Sequence, residues 1–291
     1  MKIMLSVPRP DDGGRLTAAA KLAWQDFNSA MTNPLGKCEV MCGITDMDAN
    51  TIAASEPLYL IPGIPAVHEW AHLILPAALL TSTSETHRRL TLLHECLHMA
   101  FAFGEHRERW RRMQLRIEGS EVSLNAMVTT ETSRLNYMWR RNYCAFIFLR
   151  LPDEIVAEQR LKRDYPEWFE ARAAYYVHMR QDHETEIVAP KSDVPLQPFH
   201  IFYELLRTSF FISLVAGMPQ FVGELKRLEK NAEDRLRELA PRELFDFLLQ
   251  LKPRLLGISL NRPLTDAEAA YDELLARVIA TEQDAQTTAA S

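Results

Sequence analysis

The run from Thr81 to Gly104, TSTSETHRRLTLLHECLHMAFAFG, restricts the fold more than any other part of the chain. Ser82 with Glu85 three residues later has the form of a capping box, so a helix is predicted from Ser82 to the glycine stop at Gly104. Its middle is apolar, with Leu92, Leu93, Cys96, Leu97 and Met99, and such a helix belongs in a core. Three polar side chains interrupt that apolar surface: His94, Glu95 and His98.

Their spacing carries chemistry. Residues four apart on an α-helix lie about 40° apart around the axis and one turn along it, so two imidazoles can converge on one ion. The glutamate after the first histidine projects beside that pair, where it can reach a water on the ion. This is the basis of HExxH as a zinc-hydrolase motif, with two ligands and a general base on one rigid element. Zinc lowers the pKa of its water to about 7, and the carboxylate takes the proton as that water attacks a carbonyl. Random order of a chain this rich in His and Glu would give about 0.02 copies of the pattern.

The chain writes the pattern twice. The other copy, PAVHEWAHLIL, places His68, Glu69 and His72 between Pro65 and Pro76. Pro76 removes a helical hydrogen bond only four residues after His72, so the helix predicted there is short. The capped helix at 94–98 is the better scaffold, and His68, Glu69 and His72 are read as structural or cleft-lining.

A catalytic zinc site takes three protein ligands and keeps one position for water. Phe101 and Gly104 stand where a metzincin would have its glycine and third histidine, which excludes that arrangement. Glu105 is about 10.5 Å further along the same helix axis than His98, too far to share the ion. His106, beyond the glycine stop, could fold back. The stronger candidate is LPDEIVAEQRL, where Glu154 and Glu158 share a face of a separate helix with small Ala157 between them. Either glutamate could be the third ligand.

HECLH followed downstream by Glu-x-x-Ala-Glu resembles the gluzincin branch of the zinc metallopeptidases. The resemblance covers these two short segments. It implies a zincin-like fold, zinc as cofactor, Glu154 as third ligand beside His94 and His98, and Glu95 as general base. It further implies that Glu158 orients a ligating histidine. In that family the acidic position after the small residue is usually aspartate.

The remaining periodicity is mostly helical. Arg15–Met31 reads as a helix, followed by β-like runs at Lys37–Ile44 and Pro57–Ile64. Further helices are expected over Leu135–Arg150, from Asp153, and in the stretches EWFEARAAYYVHM, FHIFYELLRTSFFISLVAG, FVGELKRLEKNAEDRLREL and TDAEAAYDELLARVIA. The predicted class is α+β, mainly α-helical and zincin-like, with a small N-terminal sheet and a helical C-terminal part. The expected organisation is an α/β subdomain over 1–104 carrying the metal helix, a helical subdomain over 105–282, and a disordered tail over 283–291.

Composition narrows the function classes. A formal charge of -6 gives no expectation of nucleic-acid binding. The arginine-rich His106–Arg116 is interleaved with acids and reads as a solvated helix face. The longest uncharged apolar stretch, Thr208–Met218, is too short to span a bilayer. Four scattered cysteines indicate reduced thiols, and the N-terminal run has no secretory character; the expectation is a cytoplasmic protein. The expected function is zinc-dependent hydrolysis of a peptide bond in a protein or peptide substrate. The alternative is a non-catalytic helical regulatory or interaction protein on the same scaffold. Tyr175, Tyr176, His178, His200 and Tyr203 are the candidates for stabilising an oxyanion.

Overall fold

The computed structural model of the chain describes residues 3–6, 14–35, 39–45, 54–57, 70–82, 84–103, 151–188 and 198–257, with short helical pieces between 269 and 277. The predicted helix Leu135–Arg150, the arginine-rich run, Glu105, His106, His68 and Glu69 lie outside the described residues.

The chain forms two compact units, Met1–Glu108 with Arg163–Trp168, and Arg109–Lys162 with Phe169–Ser291. The first unit contains α1 (Arg15–Ala30), α2 (Ala77–Ser82) and α3 (Glu85–Phe103). Helix α1 buries Leu16, Ala20, Ala23, Trp24 and Phe27, a stripe at helical spacing, and Trp24 meets Phe27 edge to face at 5.7 Å. A forked ion pair fixes α3 to α1. Arg89 donates from Nε to Asp26 Oδ2 at 2.8 Å and from Nη2 to Oδ1 at 2.5 Å. The Tyr165 hydroxyl donates to the Thr32 carbonyl at 2.6 Å.

The fold class expected from the sequence needs correction. Helix dominates the described residues, and the chain is mainly α-helical rather than α+β with a zincin-like N-terminal sheet. Among the described residues, extended backbone is confined to four short runs, β1 (Ile3–Ser6), β2 (Glu39–Thr45), β3 (Ala54–Pro57) and β4 (Trp70–Pro76). They pair in the order β1-β2-β4-β3, parallel except for β3 with β4. Of the two runs expected, Lys37–Ile44 is present as β2. Beyond Pro57, the run to Ile64 lies outside the described residues, and the longest partner of β2 comes from residues read as a helix.

That partner is the second half of the first HExxH copy. His72 lies on β4, in register with Met41 on one side and Glu56 on the other. The apolar run WAHLIL between two prolines satisfies a short strand better than a helix, because Pro76 would break the helical ladder where it begins. The strand begins at Trp70, and the first half of this copy, His68 and Glu69, lies outside the described residues.

The metal helix starts later than the capping-box reading placed it. Ser82 ends α2, and the cap of α3 is Ser84, whose Oγ accepts the His87 backbone N–H at 3.2 Å. The sequence Ser82-Thr83-Ser84 offers three hydroxyls, and the end of α2 selects the last.

Proline falls in the first turn of four further helices: α4 (Leu151–Asp164), α5 (Pro166–Val188), α6 (Pro198–Leu214) and α7 (Pro219–Leu239). An eighth helix, α8 (Arg242–Leu256), was not among those expected; Pro241 followed by Leu244, Phe245, Leu248, Leu251 and Leu255 was its signal. Helix α6 packs on α7 and α8. The core gathers Ile155, Val156 and Leu161 of α4, Phe169 and Tyr176 of α5, and Phe202, Leu205 and Phe211 of α6. Tyr176 stacks on Phe211 with ring centroids 3.7 Å apart and planes 5° from parallel. Lys162 donates to the Leu214 carbonyl at 2.5 Å, closing the C-terminus of α6, and lies over the Phe169 ring. Among the described residues no helix is long and apolar enough to cross a membrane.

Ser84→Ala should lower unfolding stability by about 1 kcal/mol through the lost cap of α3, whereas Ser82→Ala should cost less. Urea unfolding of the two variants measures the difference, and an equal effect would return the cap to Ser82.

Candidate metal centre

His94, Glu95 and His98 all lie on α3 and are 5–7% exposed. The two imidazoles meet edge on, with ring centroids 4.4 Å apart and planes at 85°. Their Nε2 atoms are 2.9 Å apart. Two nitrogen ligands on a tetrahedral ion, each at about 2.05 Å, are about 3.3 Å from each other, so a small opening of the pair would admit an ion. The same separation is a hydrogen bond when one ring carries its proton on Nε2. Cys96, between the histidines, is buried and forms no disulfide among the described residues.

The carboxylate that joins these rings is Glu154. One ligand atom from each of His94, His98 and Glu154 lies within 4.8 Å of the other two, all three residues are buried, and the group could hold a metal ion. Two imidazoles and a carboxylate form a donor set that suits zinc. The residues present fit the ion that the sequence led us to expect. The alternative third ligand, Glu158, is turned to another use: it is wholly buried, and its Oε1 accepts from Arg172 Nε at 2.7 Å and also from Arg172 Nη2. Neither glutamate belongs to an exposed acidic pair.

Around Glu154 is a set of charges that no motif announced. Arg207 Nη2 donates to Glu154 Oε1 at 3.0 Å, and Arg172 Nη2 lies 3.9 Å from the same oxygen. Arg180 pairs with Glu204, which His200 also approaches at 3.8 Å. Aromatic faces line the network. The guanidinium of Arg207 lies 5.5 Å from the Tyr203 ring centre and 6.0 Å from that of Tyr176, and Arg180 lies 6.0 Å from Tyr176. Within this network three glutamates face three arginines; Glu95 and Asp153 are buried acids outside it.

Electrostatics follows from this arrangement. Burial by itself would raise the Glu204 pKa, but the Arg180 charge, a hydrogen bond with His200 and the Arg207 charge hold it well below the usual carboxylate range. Burial would likewise lower the Arg207 pKa; Tyr203, Glu154, Tyr176 and Glu204 outweigh it and raise that value well above the ordinary one. Arg172 is raised in the same manner, against burial, chiefly by Glu158. Burial pushes the Tyr176 phenol up, and its hydroxyl has no hydrogen-bond partner among the described residues.

Of the proposed oxyanion candidates, Tyr176 is core, and His178 is exposed. Tyr175 and Tyr203 are used as faces for Arg172 and Arg207. Sequence reasoning missed Arg172, Arg180, Glu204 and Arg207. A signal existed: Glu204 and Arg207 are the only acidic or basic residues, His200 apart, in the otherwise apolar α6. Charges three apart in a helix that must be buried need ionic partners elsewhere. No family profile, curated protein or solved structure matches the chain.

Two outcomes are expected. Purified protein loaded with zinc should hold close to one ion per chain by mass spectrometry, kept in His68→Ala and lost in His94→Ala and Glu154→Ala; retention in Glu154→Ala would remove that residue from the site. The second concerns pH. The folded-state pKa of Glu204 lies below its ordinary value of 4.5, so its contribution to stability is complete above that pH and disappears as the pH falls through and beyond it. Denaturant midpoints measured between pH 7 and pH 3 should therefore drop less steeply for Glu204→Gln than for the wild type, and parallel curves would refute this.

Proposed function

We propose that the chain is a zinc-dependent metallopeptidase in which His94, His98 and Glu154 hold the ion and Glu95 is the general base. The observation that carries this reading is the buried grouping of two imidazoles from one HExxH helix with one glutamate from another. When bound, zinc supplies Lewis acidity that brings the pKa of water near 7.

The chain's own residues supply the rest. Glu95 follows His94 directly on α3 and is 5% exposed, and its carboxylate takes a proton from water and returns it to the leaving amine. Helix α3 keeps the two histidines and this base on one rigid rod. Arg172 fixes Glu158, one turn from Glu154, and so fixes the helix that presents the third ligand. The substrate in this reading is a protein or peptide.

A second reading takes its support from burial: His94, Glu95, His98 and Glu154 are all 5–8% exposed. A site closed to that degree suits a structural ion in a regulatory or interaction protein. The two readings differ at Glu95. As a general base, Glu95→Gln should leave zinc content and thermal stability unchanged while lowering peptide hydrolysis about 10²–10⁴-fold. Assay of the zinc-loaded wild type and variant on a mixed peptide library decides: hydrolysis by neither supports the structural reading, and undiminished hydrolysis by the variant removes Glu95 from the mechanism.

A further inference from the structure

We draw no further inference here: the strongest candidate, the buried cluster on α5 and α6 in which the Tyr176 hydroxyl and the Nε atoms of Arg180 and Arg207 have no hydrogen-bond partner among the described residues, carries nothing, because nothing in the structure brings these three donors to one point and the Glu204 carboxylate beside Arg180 already balances its charge.

Discussion

Glu158 is wholly buried, and a carboxylate there needs a partner that replaces the water it has lost. Arg172 supplies that partner through a fork of two donors. The pair ties α4 to α5, and because Glu154 lies one turn from Glu158 on the same helix, it also sets the direction in which Glu154 points. Removing either member would strand a buried charge, at a cost of roughly 3–5 kcal/mol. The placement of the candidate third ligand therefore depends on an ion pair that has no part in the chemistry itself.

From that pair the charges spread in a balanced way across α5 and α6. Glu154 takes Arg207 and Glu204 takes Arg180, with Tyr176 and Tyr203 providing faces for the guanidinium groups. A zinc ion added beside Glu154 would disturb this balance by two positive charges, offset only where a negative group is near. Glu95, next to His94 on α3, and Asp153, next to Glu154 on α4, are further buried acids.

How much of this was legible in the sequence depended on whether the signal was local. The helix around HECLH could be read because apolar periodicity and a serine cap coincide within one segment, and the two-residue error at its start came from three adjacent hydroxyls competing for one role. Glu154 could be picked out because a small residue between two glutamates at helical spacing suggested a close crossing. The first HExxH copy misled for the opposite reason: its five letters are local, but its backbone is set by Pro76 and by pairing of Trp70–Pro76 with Glu39–Thr45, an interaction across about thirty residues that no pentapeptide encodes. The class expectation failed similarly, since short apolar runs do not tell a strand from a buried helical segment. The arginines were illegible as site residues because each acquires its meaning only from a glutamate on another helix.

A pentapeptide that occurs twice in one chain, once on a helix and once running into a strand, shows what the motif requires. Two histidines four residues apart converge only where the backbone rises about 1.5 Å per residue; at the rise of about 3.3 Å found in strands, the same letters point two rings at different places. The helical copy satisfies this condition through its Ser84 cap, its forked tie from Arg89 to Asp26, and the apolar neighbours that bury it. What makes it a candidate metal centre is then the third donor, and that donor is available because Arg172 has already claimed the neighbouring glutamate. Of two acids that looked interchangeable in the sequence, the buried ion pair assigns one to structure and leaves the other to the histidines.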